Sequence, residues 1–207
     1  MPLDKNIKKV LIIGSGPIVI GQSAEFDYSG SQACKALKEE GIEVVLLNSN
    51  PATIQTDPFL ADHIYIEPIN LQSLEKILEI ERPDGIIASM GGQTALNLAY
   101  ALVDANLDKK YNTKLLGTGI DAIKKAEDRG IFAKFLKSIN EPILDSVAAT
   151  SKKEAYEFAK THNFPLILRP AYTLGGTGGG IAHNREEFEN LLDLGFTLSP
   201  IKQVLIE

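Results

Sequence analysis

The sequence predicts an α/β chain in two parts, a doubly wound parallel sheet followed by a smaller α+β unit. Two observations carry this. Over residues 1–118, short apolar runs alternate with helical patterns of ten or so residues, the signature of parallel strands joined by crossover helices. Beyond that stretch the alternation stops, and two strand-like runs are joined directly by a glycine-rich loop, as in an antiparallel hairpin.

The elements follow in order. Lys9-Val10-Leu11-Ile12-Ile13 is a continuous apolar run ending in Gly14, as a strand buried on both faces requires. A helix is expected from about Ser31 to Glu40, with Ala33, Ala36 and Leu37 on one face and Gly41 at its end. Glu43–Leu47 reads as a second strand, stopped by Asn48-Ser49-Asn50-Pro51, and His63–Ile66 as a shorter third. Leu71, Leu74, Ile77 and Leu78 recur at helical spacing before Pro83. Gly85–Ser89 is another strand, Gly91-Gly92 opens an Ala/Leu-rich helix to about Val103, and Lys114–Gly117 closes the series.

In the second part, Ile120, Ile123, Phe132, Phe135, Leu136 and Ile139 share a helical face, with a break expected at Gly130. Ser151 with Glu154, and Asn184 with Glu187, have the spacing of helix-capping pairs. Pro165–Pro170 reads as a strand that returns through Gly175–Gly180 into Ile181-Ala182, and Gln203–Ile206 as a last strand. The domain reading is 1–118, a linker at 119–127, and 128–207.

Composition excludes several function classes. The 207 residues are 44% hydrophobic and 23% charged, which is globular, and the net charge of −6 has no affinity for a phosphate backbone or an anionic membrane surface. Neither a nucleic acid nor a membrane partner is therefore expected. The one cysteine, Cys34, cannot close an internal disulfide and fits a reducing, cytoplasmic setting. Met1-Pro2-Leu3-Asp4-Lys5 is not a signal peptide. His63, His162 and His183 are scattered, so no metal ligand set is expected.

Glycine carries the functional signal. Eleven of the seventeen glycines fall at 14–30, 91–92 and 175–180. Gly14-Ser15-Gly16-Pro17 after the first strand has two readings: a pyrophosphate-binding turn of an NAD-dependent oxidoreductase, or a tight turn without a cofactor. Val19 at the third glycine position and Asn48 where an acidic residue would end the second strand favour the turn. The run at 175–180 supplies flexible N–H groups that suit phosphate oxygens, although no Lys-Ser or Lys-Thr follows as in a Walker A loop; the alternative is a solvent-exposed hairpin. Arg169 and Arg129 stand near it among only four arginines, and guanidinium groups suit bidentate contact with phosphate.

Several blocks together are more specific: Gly14-Ser15-Gly16-Pro17-Ile18-Val19-Ile20-Gly21-Gln22, Glu25-Phe26-Asp27-Tyr28-Ser29-Gly30, Asn48-Ser49-Asn50-Pro51-Ala52-Thr53, Thr56-Asp57, Gly91-Gly92-Gln93-Thr94-Ala95-Leu96-Asn97 and Lys125-Ala126-Glu127-Asp128-Arg129. With these the chain closely resembles, along its whole length, the start of the carboxyphosphate-forming half of carbamoyl phosphate synthetase large subunits. The resemblance implies a Rossmann-like pre-ATP-grasp domain at 1–118 and the first, truncated part of an α+β ATP-grasp domain at 128–207. It implies an ATP-dependent ligase that phosphorylates bicarbonate and passes carboxyphosphate to ammonia, giving carbamate and then carbamoyl phosphate for arginine and pyrimidine biosynthesis. This piece would be inactive alone. The implied partners are ATP, bicarbonate, ammonia, a glutamine amidotransferase small subunit and further copies in an oligomer. Mg2+ or Mn2+ would be held by residues beyond Glu207. Arg129 would contact the transferred phosphate, Arg169 the adenine side and α-phosphate, and Gly175 and Gly176 would close over the phosphates. Ile20, Ser23 and Glu25 would lie along a carbamate channel, with Ser23-Ala24 standing where many relatives have Ala-Cys. Other readings are a non-catalytic scaffold or allosteric module, and another ATP-grasp ligase such as a biotin carboxylase.

Overall fold

The structure is a computed structural model that describes residues 4–19, 22 and 24–207. The chain divides into two compact units, 1–120 and 121–207. Among the described residues no helix is long and apolar enough to cross a membrane.

The first unit is built on a five-stranded parallel sheet of β1 (Lys9–Ile13), β2 (Glu43–Leu47), β3 (His63–Tyr65), β4 (Gly85–Ile87) and β5 (Lys114–Leu116), in the order β3-β2-β1-β4-β5. The chain winds outward from β1 to β3, then crosses back to β4, so the winding reverses beside β1. The strand register pairs Leu11 with Val45 and Ile86. Leu11, Ile13, Val45, Leu47 and Ile86 face α2 (Leu71–Glu81), α3 (Gly92–Asp104) and α4 (Leu107–Tyr111). Ile12, Val44 and Leu46 face Cys34 of α1 (Glu25–Glu39). Alternate side chains are buried on opposite faces, which is why these strands read as unbroken apolar runs.

Helix α1 begins at Glu25, six residues before the expected start. Glu25 and Asp27 place negative charge in its first turn, where the helix dipole favours it. Gly30 therefore lies inside the helix and not ahead of it. A Cβ there would overlap Nε2 of Gln55, a side chain with 0% exposure that donates to the Phe26 carbonyl at 3.0 Å. Helix α4, after an Asn106 in the left-handed region, is an element the periodicity does not announce.

Carboxylates bind the amino edge of this sheet together. Asp84 accepts from the N–H groups of Lys8 and Lys9 at 2.8 and 3.0 Å, and Asp62 from Val44 N–H at 2.8 Å. The buried Glu81 takes the Tyr65 hydroxyl at 2.6 Å and the Lys9 ammonium at 3.0 Å. Burial pushes the Glu81 carboxyl up, but these donors outweigh it and hold the group below its ordinary range.

The second unit is a four-stranded antiparallel sheet of β6 (Val147–Ala149), β7 (Leu166–Pro170), β8 (Gly180–Ala182) and β9 (Val204–Ile206), in the order β6-β9-β7-β8. Leu166, Leu168, Val204 and Ile206 pack with Ala155 of α7 (Lys152–Thr161) and with Phe188 and Leu192 of α8 (Arg185–Leu198). Ser151 and Asn184 cap these two helices as expected, accepting from the N–H groups of Glu154 and Glu187. The stretch expected as one interrupted helix is α5 (Ile120–Glu127) and α6 (Arg129–Ser138), so residues 120–127, read as a linker, are helical. The break falls at Asp128, not at Gly130. Asp128 has extended geometry and accepts from Ile131 N–H at 2.9 Å, so a side-chain cap starts the new helix. Gly130 sits in the first turn, where a Cβ would come 3.2 Å from that of Ala148.

Candidate functional site

Of the residues singled out in the sequence, the structure brings two together. Arg129 is the first residue of α6, and Arg169 lies on β7 opposite Leu205 of β9. Both line a cavity of about 210 Å³, closed by Phe132 and Leu136 of α6, Pro142–Leu144, Leu205 and Glu207. Arg169 Nη2 lies 2.9 Å from Glu207 Oε1. That contact is an ion pair by distance without hydrogen-bond alignment, because the same buried oxygen has no aligned donor. Arg129 Nε is buried and also has no partner. A guanidinium N–H left in that state costs free energy unless an acceptor reaches it. Two guanidinium groups and one carboxylate leave the cavity with excess positive charge, which suits a phosphate oxygen.

Gly175 and Gly176 do not line this cavity. They belong to the nine-residue connection between β7 and β8, where Gly175, Gly176 and Gly178 have φ of 59°, 73° and 76°. The loop is not a loose strap. Thr177 N–H donates to the Leu174 carbonyl and Gly179 N–H to the Gly176 carbonyl, both at 3.0 Å. Gly178 is packed: a Cβ there would meet Leu198 at 2.8 Å. Gly176 has nothing within 4 Å of such a position, so its open side is free to be approached.

In the first unit a crevice of about 480 Å³ opens at the carboxyl ends of the strands, where the winding reverses. Ser15, Gly16, Gln22, Ser49, Glu67 and Thr94 line it. Gln22 Nε2 donates to the Ser15 carbonyl at 2.6 Å, while its buried Oε1 has no partner. Of the channel residues, Ile20 and Ser23 lie outside the described residues, and Glu25 is the exposed first residue of α1. Gly14 to Pro17 lead out of β1 with Gly16 at φ 74° and a bend at Pro17. The end of β2 behind it is filled by Asn48, whose amide donates to Gln55 at 2.9 Å. That leaves an amide pair where an NAD ribose would require an acid.

Two other constellations do not form sites. A cavity of about 690 Å³ between α7 and α8 has a rim of cations. Three of them are engaged: Lys152 with Asp193, Lys160 with Glu157 and Arg185 with Glu189. Glu43, His63 and Glu81 bring potential metal ligands within 4.8 Å of one another. The Lys9 ammonium already bridges the two carboxylates at 2.8 and 3.0 Å, so the cation position is filled by the chain itself.

Gln203 and Glu207 are the site residues that sequence reasoning missed. Glu207 comes just after β9, two residues beyond Leu205, but no short-range pattern announces a contact between Gln203 and residues 128–129.

Comparison with known proteins agrees with this division. A family signature described as "Carbamoyl phosphate synthase preATP-grasp domain" matches residues 6–125, and "Carbamoyl-phosphate synthase L chain, ATP binding domain" matches residues 128–207. The chain is 58% identical over 207 residues to the carbamoyl phosphate synthase large chain of Caldanaerobacter subterraneus, and 60% identical to that of Clostridium acetobutylicum. In each case it covers all of this chain and 19% of the relative. Among solved structures, the biotin carboxylase domain of Hydrogenobacter thermophilus 2-oxoglutarate carboxylase, in complex with MgADP, ADP and bicarbonate, has a TM-score of 0.66 at 20% identity. It is matched over 97% of this chain and 44% of its own, a likeness of fold alone. With the preATP-grasp signature spanning more than half of its length, the chain belongs to the carbamoyl phosphate synthase preATP-grasp family, continued into the ATP-binding domain of the same large chains.

Proposed function

We propose that the chain supplies part of the site at which a carbamoyl phosphate synthase large chain phosphorylates bicarbonate with ATP, an ATP-dependent ligase step. Ammonia then converts the carboxyphosphate to carbamate. The observation that carries this is the buried, unpartnered Nε of Arg129 in a cavity shared with Arg169. ATP supplies the transferable phosphoryl group. Bicarbonate oxygen is itself the nucleophile, so these residues need only bind, orient and neutralise charge. Arg129 would hold the transferred phosphate, Arg169 the α-phosphate and adenine side, and Gly175 and Gly176 would fold over the phosphates. A cavity of about 210 Å³ takes part of a nucleotide, in keeping with a chain that spans 19% of its relatives.

In this reading residues 1–118 form the pre-ATP-grasp domain and 128–207 the ATP-grasp part. Ile20, Ser23 and Glu25 would border a route for carbamate, and what supports such a route is the crevice lined by Gln22 and its described neighbours. The divalent ion, Mg2+ or Mn2+, finds no free carboxylate cluster among the described residues lining the arginine cavity. The glutamine amidotransferase partner, the oligomer, the cytoplasmic setting and the place in arginine and pyrimidine biosynthesis belong to this proposal as well.

Titration of the chain with MgADP tests it. Saturable binding, weakened about tenfold or more by Arg129→Ala and by Arg169→Ala, is the expected result. Equal binding by both variants would remove the arginines from the site.

A further inference from the structure

We propose that Gln203 is a positioning residue for Arg129, a side-chain clamp that sets where the Arg129 guanidinium stands in the cavity. The inference rests on the nucleotide reading of that cavity. Gln203 immediately precedes β9 and is 7% exposed. Its Oε1 accepts from the Arg129 N–H at 3.0 Å, and its Nε2 donates to Asp128 Oδ1 and Oδ2 at 3.3 and 3.4 Å. The partners fix the amide orientation, because a flipped amide would set its NH2 against an N–H and its carbonyl against a carboxylate. Gln203 is in turn held at its own backbone: its N–H donates to Ser199 Oγ at 3.2 Å and its carbonyl accepts from Ala171 N–H at 3.0 Å.

The consequence runs through the start of α6. Asp128 Oδ1 also caps that helix through Ile131 N–H, so one carboxylate is shared between the cap and the clamp. Arg129 is the first residue after the cap. Its backbone N–H is tied to a residue 74 positions away, just before β9, the strand whose Leu205, with Glu207 after it, lines the cavity. The hydrogen bonds therefore fix Arg129 relative to that lining, and not merely relative to its own helix. A small displacement of a charge-bearing group weakens its contacts with phosphate, since such contacts depend on distance and alignment.

The test follows the Arg129 Nε–H resonance by NMR while MgADP is added to the 207-residue chain. Gln203→Met, which removes the hydrogen bonds to Arg129 and Asp128 at similar volume, should weaken MgADP binding about tenfold. It should also speed hydrogen exchange at the Arg129 amide. Asp128→Asn with Gln203→Glu reverses donor and acceptor across the same bridge, and affinity should return to within about threefold of the starting chain. A Gln203→Met chain that binds as tightly as the parent, with its Arg129 amide unprotected, overturns the positioning role alone. If the doubly substituted chain is folded and still weak, the bridge is likewise not what sets affinity. An Arg129 resonance that ignores MgADP in the parent chain overturns the nucleotide reading first and this inference with it. Urea unfolding of each variant separates loss of fold from loss of position.

Discussion

Arg169 and Glu207 form an unequal pair: the carboxylate is 9% exposed, and the guanidinium 2.9 Å away is 53% exposed. An ordinary surface ion pair contributes little, because both partners are well solvated when apart. Here one partner is not. Removing Arg169 leaves a buried carboxylate without its ion-pair partner, whereas removing both members leaves no unpaired charge at that contact.

Arg169→Met is therefore expected to destabilise the second unit by about 1–3 kcal/mol. Adding Glu207→Gln should recover a substantial part of that. Urea unfolding of the two single variants and the double variant measures the coupling, and simple additivity would show that the pair does not interact.

The sheet of the first unit was legible because both of its faces are buried, so strand and helix periods appear directly in the residues from Lys9 to Leu116. What was not legible was set at long range. Gly30 falls just before the expected helix start at Ser31, but Gln55 arrives beside it from 25 positions away, and helix α1 runs through. Gly130 reads as a helix breaker, yet the Asp128 cap determines the break. At the site, Arg129 and Arg169 stood out by residue type. Gln203 did not, because an amide before a strand carries no local signal of its partners.

Gly30→Ala should reverse the usual sign for glycine in a helix. Alanine normally stabilises a helix interior by about 1 kcal/mol relative to glycine. At this position the new methyl meets Gln55, whose amide also contacts Asn48 and the Phe26 carbonyl and has no room to withdraw. Destabilisation of about 1–3 kcal/mol is expected from urea unfolding. Adding Gln55→Ala to Gly30→Ala relieves the clash, so the glycine substitution should cost less in that background than alone.

Acid should loosen the amino edge of the parallel sheet. Hydrogen bonds from backbone N–H groups hold Asp84 and Asp62 below their ordinary value of 3.8. A depressed carboxylate contributes fully above the unfolded value, and its contribution is lost as pH falls through the folded one. The urea midpoint of the first unit should therefore drop between about pH 5 and about pH 3. Asp84→Asn should lose about 1–2 kcal/mol at neutral pH and show a shallower acid slope. An unchanged slope would show that Asp84 is not part of the acid response.

His162 gives the second unit the opposite pH response. Its ring nitrogens face the Phe158 carbonyl at 2.9 Å and Asp145 Oδ2 at 3.0 Å, and the ring stacks on Phe158. Bonding to the Phe158 carbonyl and then to Asp145 raises its pKa above 6.5. A raised histidine contributes fully below its unfolded value, and the contribution is lost as pH rises through the folded one. Stability followed at amides of 121–207 should fall across that window, and His162→Gln should flatten the fall. NMR titration of the His162 ring protons reads the shift directly.

Cys34 offers a report on whether α1 stays packed. Its side chain lies against Val44 and Leu46 with 0% exposure, and burial pushes the thiol up to about 11. Near pH 8 the thiolate is then a minor species, and the reagent has no path to it while the helix is docked. Labelling by an aromatic disulfide should be at least about a hundredfold slower in native buffer than in urea, because it must wait for opening. Since Cys34 is the one cysteine of the chain, the signal has a single source. Gly30→Ala acts on the same helix, so it should speed labelling by the factor that its unfolding free energy dictates. Arg169→Met acts on the other unit and should leave the rate unchanged. Rapid labelling of the parent chain in native buffer would show that α1 opens independently of the sheet it covers.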